Sequence, residues 1–207
     1  MDTLSNYRKR ALASLEHGWG TFVCATLVYL VISSICQSFT RIDEESASLA
    51  GLSLVMTILL LPLIWGFYTM YLDHIRGEKV GLGNLFQGYS KEWFSKSLLT
   101  LLLMYVYILL WSLLLIVPGI IKALSYAMTP YVLKDNPNMK SNEAIEESMR
   151  LMSGHKAEFF LLSLSFIGWA LLSLLTLGIG FLWLIPYMQT AFAYFYEDLK
   201  KEAGERQ

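Results

Sequence analysis

Little in this chain of 207 residues is of the kind that does chemistry. It has two cysteines and three histidines. Cys24 and Cys36 fall on one predicted helix, twelve residues and about 18 Å apart along its axis, so they cannot bridge each other. His17, His74 and His155 lie at predicted helix ends without metal-ligand spacing, and neither cysteine has a predicted His or acid beside it. No phosphate-cradling loop or nucleophile motif occurs. These absences argue against an enzyme and against a cofactor. Charge is scarce too: 16% of residues are charged, and 16 Lys+Arg face 17 Asp+Glu for a net of −1. That balance leaves no basic field for nucleic acid.

What the chain has is apolar length. Hydrophobic residues make up 55% and the mean hydropathy is +0.47, which places it among membrane proteins. Arg8, Lys9 and Arg10 precede an apolar run as in a signal peptide, but the uncharged stretch Gly18 to Thr40 lacks a small-x-small cleavage site and reads as a retained span. The other long runs are 46–72, 97–133 (interrupted by Lys122) and 159–196. The last two hold 37 and 38 residues. A straight helix of that length would reach about 56 Å, nearly twice the ~30 Å hydrocarbon layer, so each is expected to be a hairpin. Gly178 and Gly180 supply one turn and Trp111-Ser112 the other. Six spans follow, near 19–39, 50–72, 92–110, 113–134, 157–177 and 180–198.

With the N-terminus inside, the inner segments hold fourteen Lys and Arg and the outer loops hold Arg41 alone. The positive-inside rule then puts both termini in the cytoplasm. Three polar segments punctuate the spans. "LSNYRKRALASLEHG" sets Leu4, Ala11 and Leu15 on one face and ends at Gly18; "SNEAIEESMRLMSGHK" does so with Ile145, Met149 and Met152, has Glu146 and Arg150 at i,i+4, and ends at Gly154; "NLFQGYSKEWF" is a shorter version around Gly88. They read as interfacial helices.

Laid over one another, these segments suggest one all-α domain over 1–207, with three parallel hairpin repeats near 1–73, 74–135 and 136–199 and a polar tail 200–207. Each copy runs interfacial helix, Gly (18, 88, 154), outward span, turn, inward span with Pro (62, 118, 186) and Asp (73, 135, 198). Asp73, Asp135 and Asp198 lie unfavourably at helix C-termini, and ion pairs with Arg150, Lys91 or Arg10 are their natural explanation; a gate made of charges is the alternative.

Lys122 is the one basic residue that count leaves over, making sixteen, and it is the tenth residue of the span 113–134. Near the bilayer midplane a lysine costs about 2.5–3.5 kcal/mol, and no carboxylate lies in any apolar run to neutralise it. Gly119, Ser125, Tyr126 and Thr129 share its helix face, and the positions four after the other repeat prolines are Gly66 and Thr190. One reading is structural, with the stem snorkelling or the ammonium satisfied by hydroxyls, freed carbonyls or a tyrosine face. The other is a site where Lys122, among Gly66, Gly119, Ser125, Tyr126, Thr129 and Thr190, holds a lipid phosphate or an acidic solute.

The stretches "PGIIKALSYAMTPYVLKDNP", "EAIEESMRLMSGHK" and "FFLLSLSFIGWALLSLLTLGIGFLWLIPYMQTAFAYFYEDL" resemble an uncharacterised family of bacterial integral membrane proteins, the domain-of-unknown-function family numbered nine-seven-five. The resemblance runs from about Leu98 to Leu199 and thins over the first two spans. It implies a multi-pass plasma-membrane protein from a Gram-positive-type genome, with a distant likeness to the membrane domain of some glycerophosphodiester phosphodiesterases, and it brings no activity. Ala157-Glu158 departs from the aromatic expected after the family's Gly-His-Lys, where the fifth span enters the membrane. The functional expectation is a non-catalytic protein that binds lipid or anions, or scaffolds another membrane protein. The alternative is a small permease for an anionic solute with a midplane site at Lys122.

Overall fold

A computed structural model describes residues 3–16, 18–40 and 54–205. His17, Arg41, the first outer loop and the start of the second span lie outside them. All regular structure among the described residues is helical: α1 (Leu4–Leu15), α2 (Trp19–Thr40), α3 (Leu61–Ile75), a 3-10 segment (Leu82–Tyr89), α4 (Phe94–Leu114), α5 (Ile116–Tyr126), α6 (Thr129–Asp135), α7 (Ser141–Leu151), α8 (Lys156–Leu164), α9 (Ile167–Leu175) and α10 (Phe181–Glu205).

Among the described residues five helical stretches are long and apolar enough to cross a membrane: Trp19–Ser38, Leu54–Ile75, Phe94–Leu114, Ile116–Asp135 and Lys156–Leu175. α10 is longer, at 25 residues, but is not one of the five because Tyr187, Gln189, Thr190, Tyr194 and Tyr196 dilute it. Packing explains that composition. α10 touches α1, α2, α3, α7 and α9, so its polar side chains meet protein and need no apolar solvent. The same logic sorts the other helices. Half of the spans Leu54–Ile75 and Ile116–Asp135 is buried, against 17% for Trp19–Ser38 and 22% each for Phe94–Leu114 and Lys156–Leu175. An inner set (α3, α5–α6, α10) therefore carries the core, and an outer set exposes Leu, Ile, Val and Trp side chains such as Leu27, Leu109, Leu113, Ile167 and Leu171. In water such a surface would aggregate; in a bilayer it is solvated.

The prolines fit helices where they cost least. Pro62 and Pro130 stand in the first turns of α3 and α6, where their missing N–H is not needed, and Pro130 marks the break after α5. Pro186 lies inside α10. The hairpin expected at Trp111-Ser112 instead turns at Leu115, a single extended residue (φ −160°, ψ 145°). Ser112 is needed in the helix: a Cβ on Gly119 would collide with Ser112, and one on Gly180 would collide with Ser173 at 2.8 Å from its Cα, so the two hairpins close on the same Ser-on-Gly contact. Between α9 and α10 the chain turns over 176–180, with Leu177 (φ 54°) and Gly178 (φ 87°) in the left-handed region.

The three polar segments each lie against an inner helix. α1 buries Tyr7, Ala11 and Leu15 along α10. The 3-10 segment presses its backbone onto α3, where a Cβ on Gly66 would strike the Leu85 carbonyl and one on Gly88 the Pro62 carbonyl. α7 packs on α4, α5 and α6 through Ala144, Ile145, Ser148 and Leu151, with Met149 half-buried. Its Arg150 bonds Glu147 at 2.7 Å rather than Glu146, which accepts from Asn142 instead. The three glycines aligned in sequence do different things: Gly154 turns at φ 89°, Gly88 allows close approach, and a Cβ on Gly18 would crowd the Phe22 ring at 3.1 Å.

Candidate functional site

The ends of the three inner helices converge on a ring of charge. Lys134 donates to Asp73 at 3.2 Å and to Gln87 at 2.8 Å, with its ammonium 5.6 Å from the Trp65 ring. Arg76 donates to Asp135 at 2.6 and 2.9 Å and to Glu197 at 2.7 Å, while Tyr196 donates to Asp135 at 2.9 Å and Lys200 also pairs with it. The Asp135 carboxylate, with Glu197, holds the Arg76 guanidinium charged far above its ordinary range. Asp198 accepts from Arg10 at 2.9 Å, as expected, and Arg10 stacks on Tyr194 at 4.3 Å. The other two pairings were misplaced from sequence: Asp73 and Asp135 are paired by bases on neighbouring inner helix ends, not by Lys91 or Arg150. Because Asp73 and Asp135 point at partners on other helices, their unfavourable helix-end position is offset by ties between spans. Asp198 is not at an end at all, since α10 runs on to Glu205 through most of the segment expected as a polar tail.

Lys122 lies apart from this ring, half-buried, with its ammonium 4.9 Å from the Trp111 ring, 5.9 Å from Tyr126 and 3.6 Å from the Met149 sulfur. Among the described residues it has no acid partner. Ile120, Ile121 and Trp111 around it are exposed on the outside of the bundle.

A model of the family described as "Protein of unknown function (DUF975)" matches residues 1–126 and 113–203. The chain belongs to this family. The match includes the first two spans, where the resemblance read from sequence was thin. No curated protein and no solved structure matches, so the likeness to the phosphodiesterase membrane domain gains no support.

Of the family member's expected site residues, the structure brings Lys122 and Tyr126 together and sends the rest elsewhere. Gly66 is covered by the 3-10 segment. Gly119 sits in the hairpin on Ser112. The hydroxyls of Ser125 and Thr190 donate at 2.8 Å to the Ile121 and Pro186 carbonyls of their own helices, and the Ser125 carbonyl accepts from Ser148 at 2.9 Å. Thr129 is buried with its hydroxyl unpartnered. The proline register explains the misplacement of Gly66 and Thr190. The prolines from which those two positions were counted are spaced 56 and 68 residues apart, whereas the aspartates are spaced 62 and 63, so the two markers do not give one register.

Two concavities were not foreseen. One, of about 160 Å³, lies inside the bundle between Tyr68, Tyr105, Tyr126, Tyr131, Gln189 and Phe192; the Gln189 carbonyl oxygen is buried without a partner. The other, about 450 Å³, runs along the outside beside α1. Neither includes Lys122. Nothing in a linear pattern marks them, since their walls come from distant helices. Among the described residues no group of three or more His, Cys, Asp or Glu is placed to hold a metal ion.

Proposed function

We propose that the chain is a non-catalytic bacterial membrane protein of six crossings, built as three parallel two-helix units with both termini in the cytoplasm, and that it binds anionic lipid at Lys122. The carrying observation is the place of Lys122: an ammonium without an acid, on the outer side of the bundle and outside its internal cavity. Two ring faces supply roughly 0.5–2 kcal/mol each, against a cost of about 2.5–3.5 kcal/mol for lysine in the hydrocarbon. A headgroup oxygen reaching the exposed side covers the remainder. A permease would place its cation in the central cavity, so the position favours lipid binding over transport. The six-crossing reading draws on the fourteen-to-one basic asymmetry, and on the 3-10 segment and α7 each docking on the preceding inner helix while α1 docks on the last one.

Native mass spectrometry of the purified protein tests the site. Lys122→Met is expected to lose co-purified anionic lipid while Lys122→Arg keeps part of it; an unchanged lipid profile in Lys122→Met rejects the site. Topology is tested with single cysteines at Leu115 and Ile179 in a background without Cys24 and Cys36. An impermeant reagent added outside should label both.

A further inference from the structure

A second cation, unrelated to Lys122, is aimed at the apolar flank. Arg8 and Arg10 stand two residues apart on α1, yet Arg10 bonds Asp198 while the Arg8 Nε donates to the Tyr187 hydroxyl at 3.3 Å. Those partners are eleven residues apart on α10, about 16 Å along its axis. The two guanidiniums therefore reach in opposite directions, Arg10 into the charge ring and Arg8 away from it, toward the hairpins. There Arg8 lies 5.9 Å from the Phe166 ring, at the break between α8 and α9. No carboxylate pairs with it among the described residues.

The outer groove of about 450 Å³ opens beside this guanidinium, within the size range of ligand clefts. Its walls include Trp19, Trp169, Leu172, Trp183 and Leu184. The hydroxyls in it are already used: Ser173 donates to the Trp169 carbonyl and Thr176 to the Ser173 carbonyl, both at 2.8 Å. What remains is one guanidinium, held by the Tyr187 hydroxyl but by no carboxylate among the described residues, at the α1 end of an apolar slot. We infer that this groove is a binding site for an anionic phospholipid, one acyl chain lying along the three tryptophans and the phosphate meeting Arg8.

The chemistry selects that occupant. A guanidinium fork matches phosphate oxygens, and in low dielectric the charge-assisted bond is worth more than in water. A peptide would need backbone partners that the slot does not offer. A lipid without net charge leaves Arg8 uncompensated.

The groove tryptophans report occupancy. In a Trp111→Phe background, which removes the indole beside Lys122, traces of phosphatidylglycerol with a brominated chain in phosphatidylcholine bilayers should quench emission about tenfold more effectively than brominated phosphatidylcholine. Arg8→Gln should bring the two lipids level. Leu172→Trp, which fills the slot and leaves Arg8 in place, should weaken both, and it stands as the test if Arg8→Gln fails to fold. Lys122→Met should leave the preference intact, which separates this site from the one proposed above. Equal quenching by the two lipids in the parent, an unchanged preference in Arg8→Gln, or full competition by millimolar inorganic phosphate would overturn the assignment.

Discussion

Lys122 and Lys134 stand on one crossing, Ile116–Asp135, and could hardly be treated more differently. Lys134 is held by a carboxylate whose side chain is 2% exposed, by the Gln87 amide and by the Trp65 ring. Lys122 has two rings and a thioether. Removing the first charge strands Asp73 in a place where it cannot recruit water. Removing the second strands nothing. The same residue type is a tie between helices at one end of the span and, further in, a charge on which no protein carboxylate among the described residues depends, and the difference for stability lies in what is left behind when it goes.

That contrast can be broken by substitution. Lys134→Met should cost about 3–5 kcal/mol, the penalty for leaving a buried partner uncompensated. The apparent unfolding midpoint in detergent measures it, and adding Asp73→Asn should recover a large part. If the single variant is as stable as the parent, the pair is not a tie. Next in size is Gly66→Ala, which drives a methyl into the Leu85 carbonyl; a loss of about 1–3 kcal/mol and faster proteolysis within 82–89 are expected, because the 3-10 segment also carries the Gln87 that supports Lys134. The smallest effect belongs to Lys122→Met, within about 1 kcal/mol of the parent, since the lost ring contacts are balanced by removing a charge from the hydrocarbon. A loss as large as that of Lys134→Met would show that Lys122 has a structural partner after all.

Much of this arrangement can be read from a single chain where the signal is local. The apolar runs and their excess length announce the helices and the hairpins. The faces of α1 and α7, the left-handed turn at Gly154, and the Arg10–Asp198 pair follow from periodicity and charge. The rest depends on which helix faces which. Local sequence marks Ser112 as a turn residue, because nothing local says that it must lie flat against Gly119. Gly66 reads as open space beside a cation, whereas its missing side chain makes room for Leu85 of another segment. The three aspartates each meet a base near one level of the bundle, whereas the prolines take unlike places, Pro62 and Pro130 in first turns and Pro186 inside α10.

The docking of α1 on α10 has a consequence for how the protein is made. α1 leaves the ribosome long before its platform, with Arg8 and Arg10 separated from their partners on α10 by 179 and 188 residues. The α4–α5 and α9–α10 pairs close over a few residues and can form as they are synthesised, but this long-range seam cannot begin to form until α10 has been made. Until then the basic face of α1 lacks its aromatic and acidic partners, so the first helix to be inserted against the bundle is among the last to find its seat.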